Sequence, residues 1–216
     1  MSYTPKGVWV KRQVGVGLCV INYMSQINIE DEKKKFLLNE IISSSIRAAF
    51  NTMNPKFLVY RRELNNQDRN GFREYIKSKL WDYKKDDLGN ILDECCHVDA
   101  IQSFAGRVER DKKECLHKGK MRIGVTQKLL NLYFKYLWVL GYEKMPSACP
   151  FDSMVLKELG FGDKWTEMND IRRYEKWVTN AKEVASKNGQ SIAEWELVTF
   201  NKLNYKKQRV NDIGQC

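Results

Sequence analysis

The sequence is poor in proline and in strand-like alternation. Four prolines occur in 216 residues, at positions 5, 55, 146 and 150, and they separate long segments of helical apolar periodicity. Apolar and polar side chains do not alternate with the two-residue period of a half-buried strand, except over residues 57–60. We therefore expect an all-α fold of about eight to ten helices, with at most one short strand at residues 57–60.

Long uncharged apolar runs are also missing, as is a regular cysteine framework. No apolar stretch free of charge reaches the roughly 18 residues that indicate a membrane span. Lys6, Lys11 and Arg12 interrupt the one early apolar run, which does not match a signal peptide. The six cysteines are irregularly spaced, unlike those of a small secreted protein. We expect a cytoplasmic, nucleoid or nuclear protein that is not secreted and has reduced thiols.

Acidic residues are outnumbered by basic ones. Lys and Arg total 37 against 27 for Asp and Glu, which gives a net charge of +10. Such an excess indicates a polyanionic partner, most often nucleic acid. The basic runs at residues 33–35, 61–62, 112–113 and 206–207 are equally typical of a solvated face. Charge alone therefore leaves open a basic module that binds an acidic protein.

The predicted helices follow apolar spacings of three and four residues. They cover residues 8–24, 29–53, 72–83, 88–95, 97–110, 125–140, 150–159, 168–185 and 191–203. A hydrophobic fraction of 43% is enough for a packed core. We expect one helical domain over residues 1–216. The alternative is two lobes flanking a cleft, with their boundary between residues 65 and 120.

The most apolar predicted helix, residues 125–140, carries a polar seam. At about 100° per residue, Gln127, Lys128, Asn131 and Lys135 fall within a wedge roughly 100° wide. Buried lysines are costly unless they are paired or solvated in a cleft. The pattern therefore predicts that this helix forms the wall of a cleft, with Lys128 near its N-terminal end.

Lys128 and Asp152 are the candidate catalytic residues. A lysine in a partly desolvated cleft loses proton affinity and becomes a better nucleophile. Asp152 follows the Pro-flanked turn, and if Pro150 is the first helical residue, the helix dipole keeps this carboxylate ionised. It would then activate a nucleophile or stabilise a cationic sugar transition state. The alternatives are a helix-capping Asp152 and a surface Lys128 that snorkels to solvent.

The segments 124–128 (Gly-Val-Thr-Gln-Lys) and 150–155 (Pro-Phe-Asp-Ser-Met-Val) resemble the helix-hairpin-helix DNA glycosylase superfamily. The similarity is to its lysine-bearing 8-oxoguanine glycosylases of the archaeal type, and it covers roughly residues 118–159. One hairpin position that is usually glycine in that family is Thr126 here. The resemblance implies that Lys128 attacks the anomeric carbon of a flipped nucleotide and that Asp152 assists.

The resemblance also implies a partner and a set of contacts. The partner is DNA rather than RNA, and the hairpin would bind its backbone through Lys118, Lys120, Arg122, Gly124, Thr126 and Gln127. Aromatic rings would stack on the extruded base, with Trp138, Phe151, Trp165 and Trp177 as candidates, although such rings also fill cores.

The predicted function is thus a DNA base-excision N-glycosylase, with AP lyase activity through a Schiff base on Lys128 as an optional second step. The alternatives are a helical nucleic-acid-binding protein without catalysis and a basic protein-interaction module.

Five side chains between residues 95 and 117 have the chemistry of zinc ligands. They are Cys95, Cys96, His97, Cys115 and His117. Adjacent cysteines on a helix point about 100° apart, so both rarely bind one ion. The same group also allows a cysteine nucleophile with a histidine base, but no activating environment is visible. We expect neither a metal nor a cofactor.

Overall fold

The computed structural model describes residues 28–51, 58–86 and 93–213. Within these ranges the protein is all-α, as the periodicity predicts. Its helices are α1 (Ile29–Phe50), α2 (Asn66–Asp86), α3 (Glu94–Lys112), α4 (Ile123–Val139), α5 (Ser153–Glu158), α6 (Ile171–Lys187) and α7 (Ile192–Ile213). Two 3₁₀ turns, Lys113–Cys115 and His117–Gly119, connect α3 to α4.

The seven helices of the described ranges are slightly fewer than the eight to ten predicted. The predicted helix at residues 8–24 lies outside those ranges, and so does most of the one at 88–95. Of the predicted strand at 57–60, the described residues contribute only an isolated antiparallel bridge between Tyr60 and Leu116. None of the described helices combines the length and apolarity that crossing a bilayer requires.

The chain divides into two compact units, residues 1–40 and residues 41–216. The division falls inside α1, whereas the predicted boundary region at 65–120 lies wholly within the second unit. In the first unit, the Asn28 side-chain oxygen accepts a hydrogen bond from the Glu30 backbone N–H at 3.1 Å. This bond and the acids at positions 30–32 suit the positive end of a helix.

Helix α4 is the central helix of the second unit. It packs against α3 and α6, and it buries Leu129, Leu130, Tyr133, Phe134 and Leu137. Each such side chain contributes about 1.5–3 kcal/mol when fully buried. This apolar surface fixes α4 in the core and leaves its polar seam to be satisfied by neighbouring segments.

Helix α7 is held at its start by the capping box that its sequence predicts. The Glu194 backbone N–H donates to Ser191 Oγ at 3.2 Å, and the Ser191 backbone N–H donates to Glu194 Oε2 at 2.9 Å. The helix packs against α5 and α6. Its first two turns bury Ile192, Ala193, Trp195 and Glu196. The cap therefore sets the position of a buried carboxylate.

Candidate active site

Two buried amides of α4 hold the Pro-flanked segment against the helix. Gln127 donates to the Phe151 carbonyl at 2.8 Å and accepts from the Phe151 N–H at 3.1 Å. Asn131 donates to the Cys149 carbonyl at 2.7 Å. Both amide side chains are fully buried, where an unmade hydrogen bond is expensive. These bonds fix the position of the next residue in the chain, Asp152.

Asp152 uses its two carboxylate oxygens differently. Oδ1 accepts the backbone N–H groups of Met154 at 2.9 Å and Val155 at 3.1 Å, which caps α5. Oδ2 lies 3.8 Å from Lys128 Nζ. The prediction that Pro150 is the first helical residue is wrong, because α5 begins at Ser153 and Asp152 is its N-cap. Capping and pairing with Lys128 thus occur together.

Lys128 is held in a largely desolvated position. Its side chain is 13% exposed, so it does not snorkel to the surface. Its Nζ lies 4.2 Å from the centre of the Trp165 ring, within range of a cation–π contact. Burial lowers the pKa of Lys128, and the neighbouring Asp152 carboxylate opposes that shift. The amine is therefore unprotonated at a lower pH than an exposed lysine, which favours nucleophilic attack.

Lys128 and Asp152 line a cavity of about 330 Å³. This volume lies at the lower end of the roughly 300–1,000 Å³ that small-molecule sites span. One wall is apolar and comes mainly from α4 and α7; it comprises Leu132, Tyr136, Val139, Pro150, Leu197 and Phe200. The cavity therefore suits a ligand with one flat or apolar part and one part that reacts with an amine.

A second lysine–carboxylate pair lines the same cavity. Lys135 Nζ lies 2.9 Å from Glu196 Oε1 and 2.7 Å from Oε2, with side-chain exposures of 10% and 3%. Burial raises the pKa of Glu196; Lys135 opposes the shift and Asp152 adds to it. Sequence reasoning missed Glu196. The available signal was its i, i+4 spacing from Ile192 and Phe200, which places an acid on the inner side of α7.

Of the four residues of the predicted polar seam of α4, the two lysines line the cavity and the two amides do not. Gln127 and Asn131 bond to the backbone of residues 149–151 inside the core. Lys128 and Lys135 reach carboxylates at the cavity wall. The amides position the site, and the two lysines with their acids form it.

The N-terminus of α4 is closed by residues 165–169. The Ile123 N–H donates to Asn169 Oδ1 at 3.1 Å, and the Gly124 N–H donates to the Met168 carbonyl at 2.9 Å. A Cβ at Gly124 would collide with the Trp165 carbonyl. The glycine therefore allows this segment to approach the helix.

This closure does not support the predicted nucleic-acid contacts of Gly124, Thr126 and Gln127. All three residues are buried, and the Thr126 hydroxyl donates to the Arg122 carbonyl at 3.0 Å. Arg122 is also buried and donates to the Leu58 carbonyl at 3.1 Å, so its guanidinium links the start of α4 to the segment before α2. Of the predicted basic contacts, Lys118 and Lys120 are exposed, and Lys120 pairs with Glu109 at 3.2 Å.

The aromatic rings proposed for a base pocket are dispersed. Trp165 contacts Lys128 but is buried. Phe151 lies in the core against Tyr174 and Trp177, so its assignment as a base contact is not supported. Trp138 is half-buried and is not among the described residues that line the cavity. The rings at the cavity wall are those of Tyr136 and Phe200, which the sequence pattern did not single out.

One member of the Cys/His group that the sequence suggests lies in the core. His97 is buried, and its Nε2 lies 2.7 Å from the Tyr174 hydroxyl. Among the residues that the structure describes, no three His, Cys, Asp or Glu side chains are arranged to hold a metal ion.

A basic recess of about 200 Å³ lies between the C-terminal part of α1 and α2. Ser43, Arg47, Arg73 and Lys77 line it, and Glu74 is the one acid among its described lining residues. Arg47 is next in sequence to Ala48, which lines the cavity. Successive helix positions point about 100° apart, so these two side chains leave α1 in different directions.

Comparisons of the chain with protein-family models, with curated proteins and with solved structures found no match. The assignment of function therefore rests on the chemistry of the cavity.

Proposed function

We propose that the protein is a DNA base-excision N-glycosylase, with Lys128 as nucleophile and Asp152 as its acidic partner. The observation that carries the proposal is the 3.8 Å separation of Lys128 Nζ from Asp152 Oδ2 at the wall of a cavity. A desolvated amine beside a fixed carboxylate is the arrangement that nucleophilic catalysis by lysine requires. The resemblance of residues 118–159 to lysine-bearing glycosylases points to the same two residues.

In the proposed reaction, the unprotonated Lys128 amine attacks the anomeric carbon, and the electron pair of the N-glycosidic bond leaves with the base. The Asp152 carboxylate stabilises the positive charge on the sugar and accepts a proton from the new ammonium. That proton passes from Asp152 to the ring oxygen as the sugar ring opens, which gives a Schiff base on Lys128, and elimination from it would nick the strand. The apolar wall beside Tyr136 and Phe200 receives the flipped base.

The charges of the cavity favour bond-breaking chemistry over phosphate binding. Its described lining contains two lysines and two carboxylates, which balance. DNA phosphates would instead meet basic side chains outside the cavity. Arg47 and Lys77 in the basic recess, together with exposed Lys118 and Lys120, are the candidates.

The test is borohydride trapping on duplexes that carry a panel of modified bases or an abasic site. We expect a covalent protein–DNA adduct that Lys128→Met abolishes. Asp152→Asn should slow base release by roughly 100-fold or more, because the charge is lost while an asparagine still caps the helix. Lys176→Met, at an exposed position of α6, is the matched control and should react like the unaltered protein.

An adduct that persists in Lys128→Met would exclude Lys128 as the nucleophile. DNA retention that weakens with salt, without base release or adduct on any duplex, would favour the second candidate, a DNA-binding protein without catalysis. The basic recess favours that candidate, since it needs no cavity chemistry. Arg47→Ala with Lys77→Ala should then lower the salt dependence of binding.

A further inference from the structure

The buried Lys135–Glu196 pair has no part in the reaction as described so far. It joins α4 to α7 across 61 residues of sequence, and both side chains line the cavity that holds Lys128 and Asp152. Lys128 and Lys135 are two helical turns apart, which places them about 10 Å apart along α4. This is the backbone separation; both side chains open into the same cavity, so a ligand that fills it contacts the pair as well as Lys128.

A structural role alone explains the pair poorly. A buried ion pair gives little net stability compared with apolar side chains of similar volume, because both charges are desolvated. The surrounding wall is already apolar, with Leu132, Leu197 and Phe200 beside the pair. An apolar pair at these two positions would close the wall equally well.

We propose that Lys135 and Glu196 together are the proton donor of the cavity, and that they protonate the group expelled when Lys128 adds to a sugar or carbonyl carbon. The proposal rests on the assignment of Lys128 as nucleophile, but it does not require DNA to be the substrate. The pair holds one transferable proton whether it exists as ammonium and carboxylate or as amine and carboxylic acid.

The atoms and charges of the step balance. The lone pair of the neutral Lys128 amine forms the new C–N bond, and the bonding electrons of the leaving group depart with it. The proton from the pair joins the leaving atom. A base leaves neutral, whereas a carbonyl oxygen first takes one proton from the Lys128 nitrogen in the carbinolamine and then leaves as water with the proton of the pair. Lys128 then carries one positive charge, and the pair is left as a neutral Lys135 amine beside a Glu196 carboxylate.

The groups around Glu196 are consistent with proton donation. Lys135 and the Tyr136 hydroxyl face it from α4, and Cys149 and Asp152 face it from the segment before α5. Burial and the negative charge of Asp152 both raise the pKa of Glu196, while Lys135 opposes them. A carboxyl at Glu196 therefore keeps its proton to a higher pH than an exposed carboxyl does.

The experiment uses benzaldehyde with cyanoborohydride and measures the rate at which Lys128 is alkylated between pH 5 and pH 9. Peptide mapping assigns the label, and Lys128→Met identifies the signal. Lys128 should be alkylated faster than exposed lysines across this range, because more of its amine is unprotonated and the pair assists. Exposed lysines of the same protein correct for the pH dependence of the reagent. The aromatic probe suits the apolar wall beside Tyr136 and Phe200.

The informative variant is the double change Lys135→Met and Glu196→Leu. It removes both charges at once, whereas Glu196→Gln alone leaves Lys135 buried without its partner and is the less stable protein. The double variant should keep its thermal midpoint and alkylate Lys128, relative to exposed lysines, at least about 10-fold more slowly. The matched control, Glu175→Leu with Lys176→Met on the exposed side of α6, should leave rate and profile unchanged.

An unchanged rate and profile in the double variant would overturn the inference, and so would labelling of Lys128 no faster than that of exposed lysines. The DNA proposal fails separately. Pair-dependent alkylation of Lys128 without any DNA adduct would leave the inference standing and exclude the glycosylase. DNA cleavage at full rate in the double variant would do the reverse.

Discussion

The N-terminus of α4 and the part of α4 that lines the cavity differ in what their polar groups contact. At the N-terminus, the N–H groups of Ile123 and Gly124 bond to residues 168–169, and the Thr126 hydroxyl bonds back to the helix. Lys128, about one turn further on, and Lys135, about three turns further on, reach carboxylates at a cavity wall. Polar groups that are satisfied inside the core hold the fold. Charged groups paired beside an open volume are available for chemistry.

The largest expected effect on stability tests the closure of the α4 N-terminus by residues 165–169. Gly124→Ala would push a methyl group into the Trp165 carbonyl, and we expect a loss of about 3 kcal/mol in the free energy of unfolding, the upper part of the range for overpacking. Gly106→Ala in α3 is the control, because no described atom other than its chain neighbours and the backbone of its own helix lies within 4 Å of the added methyl.

The control should gain up to about 1 kcal/mol, since alanine is the better helix former. Urea unfolding of the two variants measures both values. Equal stability of the two would mean that residues 165–168 do not close on α4 in solution, and the N-terminus would again be free to meet a phosphate.

A second prediction compares the stability effects of two neighbouring residues on the polar seam, Gln127 and Lys128. Gln127→Leu should lower the free energy of unfolding by about 2 kcal/mol, because it orphans the buried N–H and carbonyl of Phe151. Lys128→Met should change it by no more than about 1 kcal/mol, since it removes a desolvated charge and leaves Asp152 partly solvated.

The same two variants should differ in reactivity. At a temperature where Gln127→Leu is folded, its Lys128 should still be alkylated. The rate should be lower, because Asp152 is less well placed. Lys128→Met should lose all labelling at position 128. If Lys128→Met were the more destabilised of the two, the seam would have to be read as structural throughout.

These contrasts show which features the sequence could predict. The α4 seam and the Ser191 capping box depend on residues within two turns of each other, so local periodicity finds them. In the sequence, the buried amides and the cavity lysines follow the same helical spacing. That spacing cannot separate them, because packing decides which groups they contact. The resemblance of residues 118–159 to glycosylases predicts a nucleic-acid contact for Gln127, whereas its side chain bonds to Phe151.

The missed features depend on contacts between distant segments. Glu196 meets Lys135 across 61 residues, and no spacing within α7 identifies that partner. The closure of α4 depends on a carbonyl at Met168 and an amide at Asn169, in a loop whose composition gives no sign of it. The Pro-flanked turn marks a helix start locally, so the sequence singles out Asp152. Its two roles, as the cap of α5 and as the partner of Lys128, depend on tertiary contacts.

The smallest expected effect separates the two oxygens of Asp152. Asp152→Ala should lower the free energy of unfolding by about 1 kcal/mol, because the bonds from Met154 and Val155 are lost. Asp152→Asn should cost less, since its side-chain oxygen still caps α5. Both variants remove the charge that raises the pKa of Lys128, so desolvation would lower that pKa further.

The pH at which Lys128 is half-maximally alkylated should therefore move downward in both variants, by the same amount. An exposed carboxylate such as Glu175 provides the control, and Glu175→Gln should leave that pH unchanged. A downward shift in Asp152→Ala that is absent in Asp152→Asn would trace the effect to the loss of the cap rather than of the charge. In that case Asp152 would belong with Gln127 among the residues that only hold the fold.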